Sequence, residues 1–239
     1  LPIWKMAELL YEGKAKQVYK TEKEDEYLIH YKDDATAGNG VKHDKFEGKG
    51  VLNNTISCII FDMLEEAGIK THMIKKLNER DILVKKVDIF PLEVIIRNIT
   101  TGSFCRRLGA PEGIVLDEPI FEMSYKNDEY GDPLINDDHA VALKLATREE
   151  LAYIKETTLK INELLKEFFL SMNLKLVDFK IEFGKTADGT ILLADEISPD
   201  SCRLWDVDTN QKYDKDVFRQ DIGDLIETYK AVLARMQNK

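Results

Sequence analysis

Asp188-Gly189 lies between two short apolar runs, and no other stretch constrains the folding of this chain so tightly. "VDFKIEF", Val177 to Phe183, alternates apolar and polar residues with the period of a β-strand, and "TILLADEI" supplies a second run. Asp-Gly between two such runs is a strong two-residue hairpin signal. In that register Ala187 pairs with Thr190, and Glu182 lies opposite Asp195, with Cβ atoms about 4.5–5.5 Å apart. Two carboxylates at that separation repel by about 1 kcal/mol in water and about 3 kcal/mol at an effective dielectric of 20. The second strand carries apolar residues on both faces, Ile191 and Leu193 on one and Leu192 and Ala194 on the other, so the acidic pair is expected to be covered. Its neutralising charge has two readings: a basic side chain such as Lys180 or Arg203, or a hard divalent cation such as Mg²⁺, which is commonly held by one or two carboxylates together with substrate phosphates.

The rest of the chain suits an α+β protein in two lobes: an N-terminal lobe with an antiparallel sheet over residues 1–86, and a larger α+β lobe over 87–239. The opening segment "AELLYEGKAKQVYKTEKEDEYLIHYKDD" reads as a hairpin with Gly-Lys-Ala-Lys inside its first strand. Apolar residues at helical spacing from Val51 to Leu64 end at Gly68 as a C-terminal cap. "DILVKKVDIFPLEVIIRN" is strand-rich, with Pro91 marking an edge or crossing, and the chain is expected to pass between lobes near Lys85–Pro91. Thr147 and Glu150 form a capping box ahead of a long helix, and "DVFRQDIGDLIETYKAVLARMQ" reads as one closing helix. A cleft between lobes is a favoured ligand site. Residues Leu1–Lys5 read as an upstream extension before Met6.

Composition narrows the partners. Asp and Glu number 44 against 34 Lys and Arg, a net charge of −10, which argues against a nucleic-acid or anionic-membrane binder. Apolar runs fall short of the ~18 residues of a membrane span, and the N-terminus lacks a signal peptide's apolar core. Three widely spaced cysteines, Cys58, Cys105 and Cys202, point to a reducing, cytoplasmic setting. Anionic small molecules need only a local basic pocket, and several segments could build one. Gly13 with Lys14 and Lys16 in "YEGKAKQVY" suits phosphate oxygens without matching a Walker A loop, although such a run alone reads first as a solvated strand end. "RNITTGSFCRRLG" offers Arg97, Ser103 and free amides at a helix start, or a plain helix cap with surface arginines. "SPDSCRLWD" brings Asp200 and Arg203 close behind the acidic strand, and "YDKDVFRQD" adds Lys215 and Arg219. His30, His43, His72 and His139 lack metal-ligand spacing and read as structural or surface residues.

Taken together, "IFPLEVIIRNITTGS" and "LVDFKIEFG" resemble the two signature segments of the phosphoribosylaminoimidazole-succinocarboxamide (SAICAR) synthase family. "EGKAKQVY", "DDATAGNG", "LVKK", "YKNDEYGDP", "DEISPDSCRLWD" and "DKDVFRQ" follow in the family's order, from about Ala7 to the last helix. One departure is Ala35 in "DDATAG", where relatives often carry a hydroxyl residue. The resemblance implies an ATP-dependent ligase of purine biosynthesis that joins L-aspartate to a carboxyaminoimidazole ribotide. It implies ATP in the inter-lobe cleft, Mg²⁺, and a homodimer. It assigns the nucleotide to Gly13, Lys14, Ala15, Lys16, the backbone of Lys85 and Lys86, and Lys126, and the metal to Glu182 and Asp195. It assigns the ribotide and aspartate to Arg97, Ser103, Asp200, Arg203, Lys215 and Arg219, with Lys14, Lys180 and Asp34 completing the catalytic site.

Two other readings compete with the ligase. A kinase-like phosphotransferase needs a catalytic Asp in a run such as H-R-D-x-x-x-x-N, which the chain lacks. A non-catalytic nucleotide-binding module would not need both a metal-carboxylate pair and a second anion pocket.

Overall fold

The opening segment, read above as one hairpin, is a three-stranded meander: β1 (Leu9–Glu12), β2 (Lys16–Lys20) and β3 (Glu26–Tyr31). Gly-Lys-Ala breaks the alternation, so Gly13–Ala15 forms the first turn, closed by the Gly13 amide on the Lys16 carbonyl at 2.8 Å. This computed structural model describes residues 7–238; the expected upstream extension, Leu1–Lys5, lies outside the described residues.

A two-stranded hairpin follows, β4 (Asp34–Ala37) with β5 (Lys42–Lys45), and then α1 (Lys49–Glu66). The α1 helix begins where the Asp33 carboxylate accepts the Gly48 and Gly50 amides while Arg80 grips it in two places. β6 (Met73–Lys76) and β7 (Asp81–Lys85) complete a five-stranded sheet in the order β1-β2-β3-β7-β6.

The second sheet draws on β8 (Asp88–Ile89), β9 (Leu92–Ile99), β10 (Val115–Tyr125), β11 (Leu134–Ile135), β12 (Leu174–Lys185), β13 (Ile191–Ala194) and β14 (Cys202–Asp206). Its main path is β11-β10-β9-β12-β13, with β14 and β8 also paired to β12. The helices α2 (Gly102–Leu108), α3 (Asp137–Ala142) and α4 (Arg148–Leu170) fall between these strands. Thr147 and Glu150 form the expected capping box of α4, and Leu151, Ile154, Ile161 and Leu165 turn its apolar stripe into the core. The expected single closing helix is two, α5 (Asp216–Arg219) and α6 (Leu225–Gln237). Asp221 adopts a left-handed backbone (φ 53°), and Asp224 caps a fresh start by accepting the Glu227 amide.

All strand pairings within the two sheets are antiparallel, which makes the protein mixed α+β. The sheets are tied where residues 70–72 seat on β13, the His72 amide reaching the Leu193 carbonyl at 2.8 Å. One apolar cluster runs from Ile29 and Val84 through Ile60 and Phe61 to Phe183 and Leu204. No helix among the described residues is long and apolar enough to cross a membrane.

Candidate active site

Strand β12 organises the site through its period-2 alternation. Val177, Phe179, Ile181 and Phe183 are buried, while Asp178, Lys180 and Glu182 share the other face. Arg97 on β9 and Arg203 on β14 both stand in register with Asp178, one on each side. The result is a row of Arg97, Asp178 and Arg203 across three strands, with Lys180 and Glu182 continuing along β12.

The hairpin register differs from that expected. Its loop has three residues, Ala187–Gly189: the Thr186 amide pairs with the Thr190 carbonyl, and the Gly189 amide turns back to Thr186. Thr186 and Asp188 side chains bond within this loop, favouring the longer turn over a two-residue one. Glu182 therefore faces Ala194, not Asp195. In a continued strand, that one-residue slip would send Asp195 to the opposite face. Instead β13 ends at Ala194, and Asp195 adopts a left-handed backbone (φ 56°) that breaks the alternation.

Asp195 thus bonds the Lys16 ammonium while its charge still acts on Glu182. Burial and the Asp195 charge push the Glu182 carboxyl up to about 7. Burial opposes ionisation of Asp195 too, but Lys16 holds its carboxyl below the usual range. The neutralising cations are neither Lys180 nor Arg203. Lys126 lies 2.6 Å from Glu182, and Lys16 serves both Asp195 and, at 3.1 Å, Glu196. Lys180 lies 3.6 Å from Glu93, and Arg203 is engaged by Asp178 and Asp216.

The described residues contain no cluster of three or more His, Cys, Asp or Glu arranged to hold a metal. The donor set nevertheless suits Mg²⁺, which takes one or two protein carboxylates and completes its shell from phosphates and water. Beside the pair, the buried Glu196 Oε2 has no hydrogen-bond partner. An unpartnered buried carboxylate oxygen leaves the region rich in hard donors and short of positive charge.

A cleft of about 660 Å³ lies beyond the hairpin, lined in part by Lys85, Lys86, Lys185, Thr186 and Leu192. The Lys85 and Lys86 amides are already bonded to the His72 and Asp25 carbonyls and are not open to a ligand. In the Gly13–Ala15 turn, the Ala15 carbonyl accepts the Lys32 amide and Lys14 is exposed, whereas Lys16 points inward. Of the two lysines expected together at the phosphates, one thus faces solvent and the other the interior.

A second cavity, about 230 Å³, gathers Arg97, Ser103, Lys180, Asp200, Arg203 and Arg219 from segments far apart in the chain. Arg97 donates to Ser103 Oγ at 2.9 Å and lies 3.0 Å from Glu122. Arg203 lies 2.9 Å from Asp178 and 2.8 Å from Asp216, which also holds Arg219 at 2.9 Å. Gly102 opens α2 with φ 61°, and a Cβ there would stand 2.7 Å from the Arg203 guanidinium. Any side chain at 102 would compete with the arginine for that space.

Asp34 lines neither cavity. Its carboxylate meets His43 at 2.8 Å and Lys32 at 3.8 Å, and its carbonyl accepts from Lys49. Lys49, which sequence reasoning missed, is 1% exposed and lies 2.5 Å from Asp200. Tyr229 of α6 donates to the other Asp200 oxygen at 2.6 Å, and Lys215 adds charge nearby. Burial opposes ionisation of Asp200, yet Lys49 and Lys215 hold its carboxyl down at about 2. His72 also comes close to the site, buried where its charge interacts with Lys16 and Asp195, and burial pushes its imidazole down to about 4. A lysine at the first position of an amphipathic helix and a tyrosine in an apolar stripe give no local sign of such roles.

Comparison with known proteins accords with this geometry. The SAICAR synthetase family model matches residues 9–236. The phosphoribosylaminoimidazole-succinocarboxamide synthase of Finegoldia magna is 67% identical over 230 residues, covering 96% of this chain and 99% of that protein. A solved SAICAR synthetase in complex with ADP superposes with a TM-score of 0.93 at 50% identity, covering 96% of this chain and 97% of the other. The corresponding synthase of Ehrlichia chaffeensis gives 0.94 at 45% identity, covering 96% and 98%. With the family model spanning nearly the whole chain, and the signature segments placed on β9 and β12, this chain belongs to the SAICAR synthetase family.

Proposed function

We propose that this protein is the ATP-dependent ligase that joins L-aspartate to 5-amino-1-(5-phosphoribosyl)imidazole-4-carboxylate, giving the succinocarboxamide, ADP and phosphate in purine biosynthesis. The observation that carries this reading is the convergence of Arg97, Ser103, Asp200, Arg203 and Arg219 on one small cavity, also lined by Lys180, which shares the β12 face of Glu182. A generic ATP-binding protein needs no second anion pocket there.

In this reading the division between lobes falls after residue 86, and the nucleotide lies in the larger cleft. The base meets backbone carbonyls of Lys85 and Lys86, and the phosphates run past Gly13–Ala15 toward Lys14, Lys16 and Lys126. Arg97, Ser103 and Arg203 grip the ribotide, with the forked guanidinium groups suited to phosphate or carboxylate oxygens. Asp200, Lys215 and Arg219 complete that pocket, and Asp34 supports it through Lys49. Lys180 stands between the pocket and Glu182, where the two substrates meet.

A carboxylate is a poor acyl donor, because its leaving group would be oxide. Attack by a ribotide carboxylate oxygen on the γ-phosphorus expels ADP and leaves an acyl phosphate. The aspartate amine then adds at the acyl carbon, phosphate departs and the amine gives up a proton. The protein's part is alignment and charge neutralisation by lysines and arginines, with no protein nucleophile. Glu182 and Asp195 would hold Mg²⁺, which when bound neutralises charge on the phosphates. The same reading includes a homodimer and a cytoplasmic location, the latter in keeping with three unpaired cysteines.

Purified protein should release ADP only when ATP, aspartate and the ribotide are all present, with the succinocarboxamide identified by mass. Aspartate-independent ADP release, with the γ-phosphoryl transferred to another acceptor, would instead identify a phosphotransferase.

A further inference from the structure

The two carboxylates that would hold the metal are already paired with ammonium groups. Lys126 sits 2.6 Å from Glu182 Oε1, and Lys16 bonds Asp195. The two lysines are held differently. The Lys126 backbone is fixed through its amide on the Pro91 carbonyl at 2.9 Å, while its side chain is 44% exposed. Lys16 is buried, but Glu196 holds its ammonium at 3.1 Å and would keep it within the site if Asp195 let go. Glu182 and Asp195 are thus each paired with an internal ammonium, with Glu196 a second carboxylate on Lys16.

We propose that Lys16 and Lys126 are exchangeable counter-cations, so that the divalent metal and the nucleotide phosphates enter this site as one unit. A metal arriving alone must displace an ammonium from each carboxylate: Lys16 keeps Glu196, but Lys126 loses its carboxylate and leaves a half-buried positive charge beside the metal. A metal arriving with phosphates brings acceptors for both displaced lysines. Only in the second case does the displaced Lys126 ammonium gain a new anionic partner, which makes metal and nucleotide binding synergistic. By linkage, each ligand raises the affinity of the other by the same factor. Lys126 and Lys16 act here as positioning residues that set when the carboxylates are available. The proposal rests on the assignment of Glu182 and Asp195 as metal ligands.

The test uses Mn²⁺ as the probe, with free Mn²⁺ read by electron paramagnetic resonance on the nucleotide-free protein. Removing the competing cation with Lys126→Met should tighten Mn²⁺ binding about tenfold, because the metal no longer has to displace an ammonium from Glu182. Lys126→Arg, which keeps the charge, should bind Mn²⁺ as weakly as the parent. Calorimetric titration of ADP with and without Mn²⁺ should show a large affinity gain in the parent and a smaller one in Lys126→Met. A merely structural Lys126 would lower metal affinity, or leave it alone, on removal. If Glu182→Gln abolishes Mn²⁺ binding but Lys126→Met binds no tighter than the parent, the exchange model is overturned while the metal assignment stands. If Glu182→Gln binds Mn²⁺ like the parent, the metal assignment itself falls, and this proposal with it.

Discussion

Arg203 shows how much of this site depends on single positions. Its guanidinium is engaged by Asp178 and Asp216, and it lies over the space that Gly102 leaves open. Two carboxylates fix the fork, and the remaining N–H groups face the smaller cavity. Lysine has the charge but not the planar, two-point grip. Arg203→Lys should therefore lower kcat/KM for the ribotide roughly ten- to hundredfold, corresponding to loss of one charge-assisted contact of about 1.5–3 kcal/mol. The KM for ATP should stay nearly unchanged when each substrate is varied in turn. A defect confined to ATP would remove Arg203 from the ribotide pocket. Asp195 makes the same point at the other end of the site. Its left-handed backbone, rather than its place in a ladder, delivers the carboxylate to Lys16.

At the scale of elements, β12 carries the site and the hairpin fixes its reach. Gly184 pairs with Leu192 on one side and Ile89 on the other, and a Cβ there would lie 2.5 Å from Val87 Cγ2. That contact is closer than packed atoms tolerate, so Gly184→Ala must push away the 87–89 segment leading from the first sheet into the second. Lys86 and Asp88 line the larger cleft, which shifts with that segment. The expected outcome is a loss of about 1–3 kcal/mol in unfolding free energy, as for other overpacked sites, with a several-fold rise in the KM for ATP. Denaturant melts and steady-state kinetics read the two effects separately. An unchanged KM for ATP would show that the 87–89 segment does not shape the nucleotide cleft.

Across the whole molecule, Asp200 joins elements that are distant in the chain: Lys49 from the start of α1, Tyr229 from α6, and Lys215 just ahead of α5. Burial pushes the Lys215 ammonium down to about 8, although the Asp200 charge works in the opposite direction. The sign follows directly. Below pH 8 the ammonium is charged and can hold an anionic ribotide, whereas above it the charge is lost more than two pH units earlier than in the unfolded chain. The folded state binds fewer protons over that window, so this residue adds stability as pH rises while it weakens ribotide binding. The ribotide KM should rise above pH 8 in the parent and stay flat in Lys215→Arg, whose guanidinium remains charged. A flat parent profile would remove Lys215 from the pocket. The sequence by itself determined the elements with strong local signals: the β12 alternation, the α4 capping box, the α1 stripe, and the signature segments that placed the chain in its family. It also set Asp178, Lys180 and Glu182 on one face of β12, because that follows from a period of two. Tertiary structure alone decided which strands flank β12, and hence that Asp178 stands between Arg97 and Arg203. It alone decided that Lys16 and Lys126, rather than Lys180 or Arg203, neutralise the acidic pair, and that Lys49 and Tyr229 clamp Asp200. The one-residue error in the hairpin register has the same origin. Asp-Gly fits both a two-residue and a three-residue loop, and the choice fell to the Thr186 and Asp188 hydrogen bonds and the packing of both strand faces, which periodicity does not encode.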